Sequence, residues 1–175
     1  MEQTCVLHQS CRVSFDNESQ RTYITDSLRS KLGLIYVQKE RLKLNPFGES
    51  RYKTQNCEVV KLQLKKPGCN DSINITTLSF PVICSPLPSR IDVNCPHLEW
   101  SELADDQSDP RGSIDLLIGS DHYWDIVTGD TRRGTNGPTA VSSSLGWLLS
   151  GPVNGSVGRE VTWSKLELSV RWDIL

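Results

Sequence analysis

The chain has 175 residues, of which 37% are hydrophobic and 23% charged, and its formal net charge at pH 7 is -2. This length suits one domain with an extension, and this balance is typical of a globular protein rather than a disordered one. The longest apolar runs, such as residues 114–118, are far too short to span a bilayer, so we expect no membrane partner. No run of lysine and arginine alternates with aromatic residues, so we expect no nucleic-acid partner.

The first strands of the chain are predicted from two short segments. Residues 12–15 alternate polar and apolar side chains, the polar residues 16–19 follow them, and Thr22-Tyr23-Ile24 comes after this polar stretch. This pattern predicts strand, loop and strand.

A helix is predicted next, over residues 26–32. Thr25 or Asp26 can cap its first turn, and Gly33 stands where a left-handed cap is expected.

Residues 34–64 predict a long β-hairpin. Leu42 and Leu44 alternate with polar residues, as do Val60, Leu62 and Leu64, and residues 45–49 have the composition of a turn. Phe47 and Gly48 would lie at its tip.

The second half of the chain predicts further strands around a long loop. Residues 73–83 form an extended segment that Pro81 restricts to an irregular end or an edge, and residues 85–112 predict a surface loop. Residues 114–118 are typical of a buried strand, Gly119 ends that strand, and Ser120 can start a short helix.

Possible metal ligands occur near the N-terminus and inside the long loop. Cys5, His8 and Cys11 share a regular spacing, and Cys95 with His97 adds two more candidates. A structural zinc site needs four ligands, usually from two close pairs, and no zinc-finger pattern is complete here. We expect ordinary thiols, with no metal and no cofactor.

The start of the chain bears on its compartment. Residues 1–12 lack a basic segment followed by an apolar stretch and a cleavage site, so we expect an intracellular, cytoplasmic protein. In that compartment the six cysteines should be mostly reduced.

The strongest functional signal is an acid at the end of an apolar strand. Asp16 follows Val13-Ser14-Phe15, and roughly 100 residues later Leu116-Leu117-Ile118 ends in Gly119. Alone, an aspartate at a strand end is usually a turn former. The pair of segments resembles aspartic peptidases of the retroviral type, in which an apolar strand ending in glycine crosses behind the loop that carries the aspartate.

Longer segments narrow the resemblance to the peptidases of Pao/BEL-type retrotransposons. The similar segments occur in order along the region from residue 13 to 153, and they are residues 15–25, 80–87, 114–125, 137–141 and 145–152. The resemblance implies a mainly β fold: a retropepsin-like closed β-barrel protomer with one or two short helices. It also implies an N-terminal extension (1–12), a peptidase domain (13–153) and a C-terminal tail of unknown role (154–175).

The implied activity is that of an aspartic endopeptidase acting on a polyprotein. Because the chain has one such loop, the dyad would need Asp16 from each of two protomers, so the resemblance implies a homodimer. The substrate would be a polypeptide, and the hairpin around Phe47 and Gly48 would be the flap that closes over it.

The loop departs from the family pattern. Glu18 replaces the expected glycine and Asn17 replaces serine or threonine, whereas Ser19 matches and could hydrogen-bond Asp16. Gly119 is expected to support the loop from behind. Glu18 adds bulk and a further carboxylate beside the dyad. The leading functions are therefore an active peptidase and a decayed, non-enzymatic remnant that keeps the dimeric fold. The third hypothesis is a zinc-stabilised interaction module, which a metal-free folded sample would exclude.

Overall fold

The computed structural model describes residues 9–44, 52–65, 72–84, 113–134, 138–150 and 168–172. Most of these residues lie in strands, and two short helices accompany them. The strands are β1 (Gln9–Phe15), β2 (Tyr23–Thr25), β3 (Gln38–Leu44), β4 (Lys53–Lys65), β5 (Ser72–Phe80), β6 (Leu116–Ile118), β7 (Val127–Arg132), β8 (Thr139–Ser143), β9 (Gly146–Ser150) and β10 (Leu168–Trp172). The helices are α1 (Asp26–Lys31) and α2 (Ser120–Ile126), and neither has enough residues to cross a bilayer.

Seven strands form one mixed sheet in the order β10-β1-β6-β2-β5-β4-β3. Strand β6 lies between β1 and β2, and it pairs in parallel with β1 and antiparallel with β2. Strands β1 and β2 are therefore joined through β6, which comes roughly 100 residues later in the chain. A parallel neighbour cannot be reached by a tight turn, which is why this contact is long-range.

Strands β3, β4 and β5 form the other half of the sheet by antiparallel pairing. Leu44 pairs with Lys53 at the far end of the hairpin formed by β3 and β4, and Gln38 pairs with Val59 near its root. Strand β5 then pairs with β4 on one side and with β2 on the other. This arrangement places the hairpin at one edge of the sheet.

Helix α1 begins where its sequence predicts and ends one residue earlier, at Lys31. The Thr25 hydroxyl accepts a hydrogen bond from the Leu28 amide at 3.2 Å, which caps the first turn. Gly33, with φ of 62°, follows the helix in the left-handed conformation that glycine adopts without strain. Leu28 is buried and attaches the helix to the core.

Both faces of the sheet are covered by apolar side chains near β4. Val60, Leu62 and Leu64 belong to the main core, whereas Cys57 and Val59 belong to a second, smaller cluster. Alternation of side chains along a strand explains the division. The second cluster also contains Leu78, with Tyr23, Leu42 and Phe80 packed against it.

Strands β7, β8 and β9 form a separate three-stranded antiparallel sheet. Strand β9 forms part of the family-like block at residues 145–152, for which the sequence predicts no structure. Strand β7 contains Gly129 with φ of 96°, and its register with β8 shifts between Val127 and Thr131. The glycine thus lies at an irregularity within a strand.

The predicted mainly β class is confirmed, and several boundaries differ. The hairpin strand begins at Gln38 rather than near residue 34, and β5 ends at Phe80, directly before Pro81. The closed barrel and the three-part division of the chain stay predictions. Residues 9–12 nevertheless belong to β1, and β10, from the predicted tail, pairs with that strand. The predicted loop at residues 85–112 lies outside the described residues.

Candidate active site

Asp16 lies where the chain leaves β1 beside the end of β6. Its backbone amide donates to the Ile118 carbonyl at 2.9 Å, which continues the parallel pairing of Phe15 with Ile118 by one residue. The residue is half-buried. We call β1, β2, β6 and the intervening loop 16–22 the strand crossing.

The loop folds back on the Asp16 carboxylate through its own backbone. The Glu18 amide donates to Asp16 Oδ1 at 3.1 Å, and the Ser19 amide donates to the Asp16 carbonyl at 3.2 Å. Asn17 and Glu18 are exposed to solvent. Because the donor at residue 18 is a backbone amide, glycine at this position would supply the same hydrogen bond.

Gly119 packs directly against the other side of the loop. A Cβ atom at this position would lie 2.3 Å from the Arg21 carbonyl oxygen and 2.8 Å from the Ser19 carbonyl oxygen. The next amide, that of Ser120, donates to the Ser19 carbonyl at 2.7 Å. Only glycine allows two backbone segments to approach this closely, so the predicted supporting role of Gly119 has a geometric basis.

A buried threonine joins the loop to helix α2. The Thr22 amide and hydroxyl donate to the two carboxylate oxygens of Asp121, at 3.1 and 2.5 Å. The same hydroxyl accepts from the Gly119 amide at 3.0 Å. Thr22 is fully buried, and its hydroxyl both donates and accepts a hydrogen bond.

An arginine extends this network from the loop to the hairpin. Arg21 donates to both carboxylate oxygens of Glu40 on β3, at 2.7 and 2.9 Å, and its Nε lies 3.7 Å from Asp121 Oδ2. The hydrogen bond to Glu40 raises the pKa of Arg21 further above its ordinary value, so the guanidinium stays protonated. The hairpin and the loop are thus connected by a charged fork.

The other predicted site residues are Ser19, Phe47 and Gly48. The Ser19 hydroxyl donates to the Arg21 carbonyl at 2.9 Å, so its single proton is committed there, and its predicted support of Asp16 stays a prediction. Phe47 and Gly48 lie outside the described residues. The hairpin strands that lead to them end at Leu44 and begin at Lys53.

Sequence reasoning missed the network that holds the loop. Its four residues, Arg21, Thr22, Glu40 and Asp121, were not singled out. An available signal was that Asp121 lies in the first turn of α2, where carboxylates are favoured. Its partner at Thr22 is 99 residues away and could not be inferred from spacing.

The described cysteines behave as core thiols. Cys11 and Cys57 are buried, and neither they nor Cys84 form a disulfide bond within the described part of the chain. Burial raises the pKa of Cys11 to about 12, with the nearby charge of Asp115 adding to the rise, so its thiolate is strongly disfavoured. Among the described residues no three His, Cys, Asp or Glu side chains are grouped to hold a metal ion. Cys5 and His8 lie outside that part of the chain.

Comparison with known proteins identifies the family. No curated protein and no solved structure matches the chain. The model of one protein family, described as "Putative peptidase (DUF1758)", matches residues 3–155, which include the whole strand crossing and both described helices. The chain therefore belongs to this family.

Proposed function

We propose that the chain is a retropepsin-like aspartic endopeptidase, of the type found in Pao/BEL retrotransposon polyproteins. In this proposal the active enzyme is a homodimer, and Asp16 of each protomer supplies one carboxylate. Membership of a peptidase family supports proteolytic activity in general. The aspartic type, the dimer and the polyprotein substrate are our extension of that assignment.

The strand crossing is the observation that carries the proposal. A hydrogen bond from the Glu18 amide to Asp16 Oδ1 is what any Asx turn provides. A simple turn, however, needs neither a strand inserted between β1 and β2 nor a glycine pressed against the loop backbone. These features fix the backbone of Asp16 from behind, while the two residues after it face solvent.

The chemistry follows from bringing two such loops together. Two carboxylates about 3 Å apart share one proton, because adjacent like charges resist ionising together. The ionised Asp16 takes a proton from water, and the water oxygen attacks the peptide carbonyl carbon. The protonated Asp16 then gives its proton to the departing nitrogen as the C–N bond breaks. The Glu18 amide would hold the carboxylate in one orientation during both transfers.

The test is cleavage of a broad peptide library by purified protein and by two matched variants. Asp16→Asn should lower the rate at least about 10³-fold, since it removes the group that transfers protons. Asp130→Asn, an exposed carboxylate on β7, should cleave like the wild type. Specific activity should fall on dilution, because each site needs two chains. Full activity in Asp16→Asn, or in a verified monomer, would overturn the proposal.

The second candidate is a decayed remnant without enzymatic activity. Glu18 favours it, because this position places a carboxylate two residues from Asp16 where the family pattern has glycine. A folded dimer that cleaves no peptide at any pH between 3 and 7 would establish the remnant. Cleavage that is lost in Asp16→Asn would exclude it.

A further inference from the structure

We propose that Arg21 and Glu40 are a positioning pair that holds the hairpin at a fixed distance from the Asp16 loop and thereby determines how tightly the peptide binds. This inference rests on the proposed function, because it assigns the pair a role at the same site. Neither residue needs to touch the substrate for this role.

The hairpin end of the pair is rigid. Glu40 lies on β3 directly opposite Cys57 of β4, and its neighbour Leu42 packs against the second apolar cluster that contains Cys57. The pairing of β3 with β4 therefore holds the backbone of Glu40 in place. Both of its oxygens accept from the Arg21 guanidinium, at 2.7 and 2.9 Å, and this two-point contact fixes direction as well as distance.

The loop end of the pair is equally fixed. The Arg21 carbonyl accepts from the Ser19 hydroxyl and lies against Gly119, while the Arg21 Nε approaches Asp121. The backbone of Arg21 therefore cannot shift without moving the loop that carries Asp16. A displacement of the hairpin would be transmitted through the guanidinium to this loop.

The energetics favour a positional role over a stabilising one. The side chains of Arg21 and Glu40 are 34% and 31% exposed, and ion pairs with this much solvent contact add little to stability. Peptide binding depends more on the pair, because a hairpin that is already held in its binding position loses less conformational freedom when the peptide binds. Loss of the pair should therefore weaken peptide binding more than folding.

The chain provides a matched control on the same hairpin. Arg29 of α1 forms an ion pair with Glu58 of β4, and these side chains are 24% and 28% exposed. Glu58 also lies 3.6 Å from the Lys39 amine. This second pair connects the hairpin to helix α1. The contacts that the structure shows for Arg29 and Glu58 do not include the loop at residues 16–22. Glu58→Gln thus removes a comparable charge without touching the proposed connection.

The experiment compares Glu40→Gln with Glu58→Gln in peptide cleavage and thermal unfolding. Glutamine keeps the size of the side chain but has only one oxygen for the guanidinium fork. We expect Glu40→Gln to raise KM about tenfold with kcat within about twofold of the wild type, since a hairpin that is no longer held in place binds the peptide more weakly. Glu58→Gln should leave both constants unchanged, and the two variants should have similar melting temperatures. Equal KM values in the two variants would overturn the positioning role.

A second readout does not depend on catalysis. Amide hydrogen exchange of Glu18 and Ser19, whose N–H groups bond to Asp16, should be faster in Glu40→Gln and unchanged in Glu58→Gln. If the wild type cleaves no peptide but this difference is seen, the proposed function fails and the positioning pair stands. If the exchange rates change equally in both variants, the positioning pair fails whatever the activity.

Discussion

The strand crossing and the hairpin support the same candidate site by different means. Two of the three strands in the crossing, β2 and β6, have only three residues each, and the crossing joins segments roughly 100 residues apart. The hairpin uses strands of 7 and 13 residues that are close in the chain and pair in continuous register. Close packing holds the backbone of the crossing in place, whereas regular strand pairing holds the backbone of the hairpin. The crossing should therefore be the less tolerant of substitution.

The largest effect should come from breaking the crossing at Gly119. In Gly119→Ala the new Cβ would lie 2.3 Å from the Arg21 carbonyl oxygen, so the loop must move away from β6. We expect the free energy of unfolding to fall by about 3 kcal/mol, and peptide cleavage to be lost with it. Urea unfolding measures the first effect.

The matched control is Gly33→Ala, at the start of the segment that leads into the hairpin. Gly33 has a positive φ but no atom within 4 Å of a Cβ, so only the backbone strain of about 1 kcal/mol applies. If the two alanine variants lose the same stability, the crossing is not as closely packed as described.

Glu18 tests whether the exposed side of the crossing limits activity. Glu18→Gly retains the backbone amide that donates to Asp16 and removes both the charge and the Cβ. We expect cleavage at mildly acidic pH to increase about tenfold, because a further negative charge no longer opposes the dyad. Asp16→Asn in the Glu18→Gly background should abolish the gain.

Glu18→Gln separates the two causes, since it removes only the charge. A gain equal to that of Glu18→Gly would assign the effect to electrostatics, and no gain would assign it to the backbone. Wild-type activity that is sensitive to Asp16→Asn and unaffected by Glu18→Gly would show that the loop tolerates glutamate.

Because Cys11 is buried in β1, the free energy of unfolding should fall as the pH becomes alkaline. Burial raises its pKa from 9.0 to about 12, so the folded state holds the thiol proton more tightly than the unfolded state does. This contribution is fully present below pH 9 and is lost as the pH rises from 9 towards 12. At pH 10 the loss should be about 1.4 kcal/mol.

The measurement is the pH dependence of urea unfolding for the wild type and Cys11→Ala. Removing the side chain lowers stability at every pH, but the fall between pH 9 and pH 10 should be smaller in the variant. Curves of identical slope would contradict the assignment to Cys11.

The smallest expected effect is a gain at Thr77, on the strand that connects the two regions. Thr77 is buried, and its hydroxyl has no hydrogen-bond partner in the described part of the chain. Thr77→Val should raise the free energy of unfolding by about 1 kcal/mol, because it removes an unsatisfied polar atom at nearly constant volume. Thr54→Val, at an exposed position of the hairpin, should change stability much less. A destabilised Thr77→Val protein would indicate that the hydroxyl has a partner.

Local elements were predictable from the sequence because their signals are local. The Thr25 cap, Gly33 and the alternation in β4 each lie within a few residues of the element that they define. Strand β7 shows the limit. A glycine between polar residues indicates a turn and an irregular strand equally well, and only pairing with β8 distinguishes the two.

The candidate site was predictable in its positions but not in its connections. Asp16 and Gly119 were identified from strand-end patterns and from a family resemblance. The contacts of Thr22 with Asp121 and of Arg21 with Glu40 depend on which strands become neighbours. Polar side chains at such positions look like ordinary surface residues until the topology is known.

The place of β6 between β1 and β2 also has a consequence in time. During synthesis β1, the loop and β2 leave the ribosome before β6 does. Strands β1 and β2 do not pair with each other, so nothing joins them within the sheet until β6 has followed. At translation rates of about 5–20 residues per second, that interval is about 5–20 s. The hairpin can close during this delay, because its pairs are local. A nascent chain therefore carries Asp16 for several seconds before its backbone is fixed, and the candidate site is among the last parts of the sheet to form.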